Sequence, residues 1–204
     1  IQLSDLHFNE LVDIPGNKYD FRIASERLKL FAEETKKYLS VKNVNNVLIA
    51  MTGDLMNSDR RLDELLSQAT NRSKATFIAI DILQQFIIDI NQDYNVSIAY
   101  VTGNESRITD EVAWSETAAT DNYDTTLFHI LKFLFKDSDG IEFIDGIELS
   151  AQEGDAEVHI LGYFVDPNNK KLVDSLADVK ILRKERLMLM SDKLNSIGVA
   201  VDKD

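Results

Sequence analysis

The chain has no cysteine, only two prolines, eight glycines and three histidines among its 204 residues. Without cysteine there is no disulfide framework and no thiolate metal site, so a metal would have to be held by oxygen and imidazole nitrogen. With so little proline and glycine no flexible linker stands out, and there is no repeat or low-complexity tract. No apolar run approaches the roughly 18 residues needed to span a bilayer. The sequence reads as lacking a secretory leader, and a reducing cytoplasm is the expected compartment. Positive charge is scarce: 22 Lys and Arg stand against 35 Asp and Glu, a net charge of -13. Such a surface repels polyphosphate backbones and argues against nonspecific, charge-driven nucleic-acid binding. It does not exclude a phosphate substrate, because divalent cations in a carboxylate-rich cleft reverse the local field.

What is present is ordinary for a globular protein, 44% hydrophobic and 28% charged, and long enough for one substantial core. The first 104 residues read as strand, helix, strand, helix, strand. Ile1 to Leu3 is a short apolar start. Phe21, Ala24, Leu28, Phe31 and Ala32 recur at helical spacing. Val47 to Met51 and Val96 to Val101 are apolar runs of the kind buried in parallel sheets, each closed by Thr-Gly, with one long helical stretch from about Asp59 to Asp89 between them. That alternation predicts parallel strands joined by crossover helices, with ligands bound outside the carboxyl ends of the strands. Further on, Thr120 or Asp121 would cap a helix carrying Leu127, Ile130 and Leu131. Ile141 to Leu149 and Val158 to Val165 look like strands around an acidic turn at Gly154. Asp166 or Asn168 would cap a C-terminal helical region, kinked or in two pieces, that stops at Gly198.

Each of the first three strands ends in a polar cluster. Asp5-Leu6-His7 puts a carboxylate and an imidazole on one side of an extended segment, within reach of one metal ion. Gly53-Asp54 turns sharply and projects a carboxylate that could bridge two ions. Gly103-Asn104-Glu105 offers an amide oxygen, with Arg107 close behind to meet a phosphate. Taken singly, each has a plainer explanation in loop capping and turn chemistry. Their order, strand context and residue types agree only when they are taken together.

The stretches Ser4-Asp5-Leu6-His7-Phe8, Thr52-Gly53-Asp54-Leu55 and Thr102-Gly103-Asn104-Glu105 resemble the calcineurin-like metallophosphoesterase superfamily over roughly residues 1–146. Asn57-Ser58-Asp59-Arg60-Arg61 looks like the helix entry found in phage and bacterial members. The resemblance implies an α/β fold, a metallophosphoesterase-like layered sheet with flanking helices, followed here by a β-hairpin and a helical C-terminal segment. It implies a hydrolase with two divalent ions, Mn foremost, with Fe, Zn, Ni or Mg as alternatives. Asp5 and His7 would hold the first ion, Asp54 would bridge, and Asn104 would hold the second. Glu105 and Arg107 would be the catalytic candidates. Glu105 stands where that family has a histidine, and the family's closing Gly-His-x-His is missing; of the later histidines, His129 reads as a packing or surface residue.

From Gly146 onward the chain resembles part of a polymerase-and-histidinol-phosphatase (PHP) domain, through Gly146-Ile147-Glu148-Leu149-Ser150 and Val158-His159-Ile160-Leu161-Gly162-Tyr163. That resemblance implies Glu148 and His159 as ligands, although the opening His-x-His of that family is absent. The expected organisation is therefore 1–146 as a metallophosphoesterase-like domain and 147–204 as a PHP-like strand pair and C-terminal helices, packed on the first part. The expected function is a phosphodiesterase, nuclease or phosphatase acting on a phosphoester, a nucleotide or a nucleic-acid end, with no membrane partner. Two rivals stand beside it: a non-catalytic metal-binding or assembly domain, and a recombinant or artificial chimera that keeps the fold without activity.

Overall fold

The computed structural model describes residues 1–108, 120–153, 156–166 and 168–201; of residues 145, 147–153, 156–157 and 159 it describes the backbone alone. The chain divides into two compact units, Ile1–Phe164 and Val165–Asp204.

The first unit is mixed α/β. Strand β1 (Gln2–Leu3) is followed by a small antiparallel hairpin, β2 (Val12–Ile14) and β3 (Asn17–Tyr19). Helix α1 (Phe21–Ser40) starts where the Asp20 side chain accepts the Ile23 N–H at 2.8 Å, an N-cap that satisfies one of the orphan donors of the first turn. Strand β4 (Asn46–Met51) leads to the short helix α2 (Leu62–Leu66) and the long helix α3 (Arg72–Asn91), capped by Asn71. The single helix expected from Asp59 to Asp89 is thus broken. Asn71 takes an extended backbone and spends its side chain on the Lys74 N–H, which starts a new helix instead of continuing the old one. Strand β5 (Asn95–Tyr100) follows, then α4 (Tyr123–Leu134), β6 (Ile141–Glu153) and β7 (Ala156–Tyr163).

The main sheet has the order β1-β4-β5-β6-β7, with parallel pairing from β1 through β6 and an antiparallel β7 at the edge. Register couples Leu3 to Met51 and Met51 to Tyr100, so the first three strands finish level with one another. Strand β6 pairs with β5 through Ile141–Asp145 and with β7 through Gly146–Glu153, and therefore runs unbroken across Gly146.

Burial along β4 alternates. Val47, Ile49 and Met51 are buried with Val96 and Ile98 against helices, while Leu48 is 38% exposed on the other face. The expectation of a strand buried on both faces fails here, because the opposite face also carries the polar pair Ser97 and Glu142. The core gathers Leu28 and Ala32 of α1, Ala79, Leu83, Phe86 and Ile87 of α3, and Leu127, Phe128 and Leu131 of α4. Tyr100 stacks on Phe128 at 3.7 Å, and Phe143 meets Phe128 edge-on at 5.2 Å, which fixes α4 over β5 and β6.

The second unit is essentially one helix, α5 (Lys170–Ser196), continuous over 27 residues. Its N-cap is Asn169, whose side chain accepts from Lys171 N and Leu172 N, rather than Asp166 or Asn168; Asp166 instead accepts the Asn168 N–H in the preceding turn. Gly198, with φ of +89°, follows its C-terminus as expected. Among the described residues no helix is long and apolar enough to cross a membrane.

Candidate metal centre

The carboxyl ends of β1, β4 and β5 lie side by side, and the chain leaving each is held to the next. After β1, Asp5 N donates to Gly53 O (3.1 Å), His7 N to Asp54 O (3.2 Å) and Phe8 N to Leu55 O (2.9 Å). After β5, Glu105 N donates to Asp54 Oδ1 at 2.7 Å. Asp5, His7, Asp54 and the Gly103–Glu105 turn are therefore neighbours, as the three-motif reading requires. Glu148 and His159 lie on the paired strands β6 and β7, opposite Leu161 and Ser150 respectively, and their side chains lie outside the described residues. His129 is exposed on α4.

The route by which Asp5 and His7 meet differs from the expected one. β1 ends at Leu3, and neither residue is extended: Asp5 has φ of 53° and His7 of 43°. Asp54 has φ of 52°. Among the described residues only one other non-glycine, Phe164, is left-handed. For such residues this region is sparsely populated, costs roughly 1–3 kcal/mol each, and survives only where surrounding contacts over-determine it. The Asp5–His7 approach, with Oδ1 and Nε2 4.0 Å apart, thus comes from two left-handed turns and not from strand alternation.

Glycine is required at two points of this assembly. A Cβ on Gly53, which has φ of +96°, would lie 2.7 Å from the Gly103 backbone, and one on Gly103 would lie 2.0 Å from Asp54 Oδ1. The two turns touch, which is why each strand closes on a glycine.

Several supporting residues escaped the sequence reading. Asp124, on the first turn of α4, is 2% exposed and accepts from Asp54 N (3.0 Å), Leu55 N (3.1 Å) and Gly103 N (2.9 Å). Asn122, not Thr120 or Asp121, caps α4 by accepting the Asp124 N–H, and its amide donates to Gly103 O at 2.9 Å. Arg72 is buried, donating to Asp59 Oδ1 and to the Glu105 carbonyl (both 2.9 Å), with its guanidinium 4.5 Å from the Tyr123 ring centre. The Tyr19 hydroxyl donates to the carbonyl of Leu6, between Asp5 and His7. No local pattern marks these residues, because their partners lie 13 to 70 residues away in the chain.

Electrostatically the site is crowded with negative charge. Burial raises the carboxyls of Asp54 and Asp124 from their ordinary values; backbone donors oppose the shift, Asp54 adds to the rise at Asp124, and Glu105 and Asp5 add to it at Asp54. Burial also pushes the Tyr19 phenol up to about 12. Glu105 pairs with Arg60 at 3.0 Å and accepts from the Asn104 amide. With its carboxylate committed to Arg60 and Asn104, Glu105 is placed for a fixing role. Asn104 spends its N–H on Glu105, which leaves its carbonyl oxygen as the atom suited to a cation.

The donor set fits a divalent ion in kind: carboxylate oxygen, imidazole nitrogen and amide oxygen. Buried His7 Nδ1 has no hydrogen-bond partner, the state of a nitrogen that a ligand would complete. The side chains are not drawn in, however. Among the described residues, no group of three or more His, Asp or Glu is close enough to hold a metal ion. Arg60 Nη1 and Arg107 Nε are likewise buried without partners, and a cavity of about 330 Å³ opens beside Asp5 between Leu6, Tyr19, Arg27 and Phe31.

Fold and site together define a mixed α/β protein with a mostly parallel sheet and a polar, strained cluster at its strand ends. Compared with protein-family models, with curated proteins and with solved structures, the chain shows no match.

Proposed function

We propose that this protein is a metal-dependent phosphoesterase of the metallophosphoesterase-like layered fold, acting on a phosphodiester, a nucleotide or a nucleic-acid end. The observation that carries the reading is the concentration of left-handed backbone at Asp5, His7 and Asp54, all at the carboxyl ends of adjacent parallel strands. Strain gathered on a carboxylate, an imidazole and a second carboxylate is strain kept for those side chains' chemistry. Two divalent ions, with Mn the first choice, would lower the pKa of a bound water and neutralise charge on the phosphoryl group.

In this reading the chain's own groups divide the work. Asp5, His7, Asp54 and Asn104 are the ligands. Arg107 Nε and Arg60 Nη1, buried and unpartnered, are donors available to phosphoryl oxygens. Glu105 holds Arg60 and Asn104 in place. The cavity beside Asp5 is the place for the organic part of the ester. Purified protein with Mn²⁺, assayed on bis-p-nitrophenyl phosphate, is expected to turn over well above an Asp54→Asn control. Equal rates for the two would sink the proposal.

A second reading, a metal-binding or assembly domain without catalysis, is favoured by the ion-paired Glu105 and the spread-out carboxylates. Metal analysis separates the two: two tightly held ions per chain support the enzyme, one or none the rival.

A further inference from the structure

We infer that Asp124 is the positioning residue of this centre, a buried carboxylate that locks the loops carrying Asp54 and Asn104 into one arrangement. The inference rests on the phosphoesterase reading for its functional meaning, and on geometry for its substance. Both carboxylate oxygens of Asp124 are used. Oδ2 accepts from Asp54 N at 3.0 Å and from Gly103 N at 2.9 Å, while Oδ1 accepts from Leu55 N at 3.1 Å. The three donors come from two loops about 50 residues apart in sequence. A carboxylate is the one short side chain that accepts on both branches; an asparagine keeps one acceptor and turns two N–H donors toward the others.

The rest of the α4 start closes the same joint. Asn122 Oδ1 fixes the Asp124 N–H at 2.9 Å, Asn122 Nδ2 holds Gly103 O at 2.9 Å, and Tyr123 N donates to Ser106 O at 2.9 Å. Asp124 sits in the first turn of α4, where the helix N-terminus favours a negative charge. The contact falls where it is needed. Asp54 is left-handed, and its amide, the group whose direction sets that turn, is one of those that Asp124 holds. Gly53 and Gly103 are packed too closely to admit a Cβ, so the joint is stiff once formed. Asp124 does not reach the reacting atoms itself; it acts through Asp54 and the Gly103–Asn104 turn.

The test compares wild type, Asp124→Asn, and Leu127→Ala, a core truncation on the same helix that keeps the carboxylate. Mn²⁺ affinity and the Mn²⁺ electron paramagnetic resonance spectrum are read alongside unfolding midpoints. Loss of an outer partner of a ligand typically weakens metal binding about 10- to 100-fold. Asp124→Asn is expected to show a loss of that size and a changed spectrum, while Leu127→Ala, at equal or lower stability, keeps both. Wild-type affinity and spectrum in Asp124→Asn would overturn the inference. Should Asp124→Asn fail to fold, Asn122→Ser decides. It keeps a capping oxygen but removes the donor to Gly103 O, and an unchanged Mn²⁺ affinity would again overturn the inference. If wild type itself takes up no Mn²⁺, the phosphoesterase reading is what fails. Amide exchange without metal then decides the clamp: slow exchange at Asp54, Leu55 and Gly103 that is lost in Asp124→Asn upholds it, and unprotected amides in wild type refute it.

Discussion

Helices α3 and α5 are both long and both capped by asparagine, yet they are stabilised differently. Of the 20 residues of α3, ten are buried, among them Ala79, Leu83, Phe86 and Ile90. Of the 27 in α5, Ser191 alone is. Apolar residues are plentiful in both, but Val179, Ile181, Leu182, Leu187 and Leu189 of α5 are exposed around its circumference. α3 is a helix because the core requires one at that place. α5 is a helix because its Lys, Arg, Glu, Leu and Met residues favour that state, with Asn169 starting it and i,i+4 pairs such as Lys170–Asp174 adding a little. Apolar spacing reports helix formation in both cases and burial in only one.

The sharpest way to break this contrast is Leu83→Ala. Leu83 is fully buried in α3, and truncation removes its transfer energy and leaves a cavity. A loss of about 3–5 kcal/mol in urea unfolding of the first unit is expected. A loss below about 1 kcal/mol would mean that the α3 core is not packed as described.

Burial in the first unit extends to polar groups, and this gives a pH dependence. The folded-state pKa of Tyr19 is pushed from 10.0 up to about 12, chiefly by burial. Its contribution is fully present below pH 10 and is lost as pH rises through 12, because in that window the unfolded chain releases a proton that the folded one keeps. Phenolate absorbance should show a late step that Tyr19→Phe removes. The difference in stability between the two proteins should shrink across the same window. A Tyr19 that titrates at the ordinary value would mean that its phenol is not buried as described.

How much was legible follows the same division between local and distant causes. The strands β4 and β5 and the helix α1 were readable because apolar periodicity is local, and the Thr-Gly endings located the loops of the site. The break between α2 and α3 was hidden, because one asparagine side chain outweighed a continuous apolar stripe. The α4 cap was placed one or two residues early for the same reason: Thr120, Asp121 and Asn122 are all competent, and only packing selects Asn122, whose amide also reaches Gly103. Asp5 and His7 were assigned to one place by a mechanism that does not operate, since both are left-handed where a strand was assumed. Asp124 and Arg72 were not legible at all. Their partners, Asp54, Gly103, Asp59 and Glu105, are 13 to 70 residues away, and no local pattern marks such a contact.

The smallest expected effect tests the other side of the comparison. Leu182 is 62% exposed, and alanine is at least as good a helix former as leucine. Leu182→Ala removes no buried area of consequence and leaves the Asn169 cap and the Lys170–Asp174 pair untouched. Its cost should stay within about 0.5 kcal/mol, with helical circular dichroism unchanged. A cost several times larger, especially one that grows as the protein is concentrated, would show that this face of α5 is covered in solution. The apolar residues of α5 would then be doing what those of α3 do, and the two helices would differ only in where the covering atoms come from.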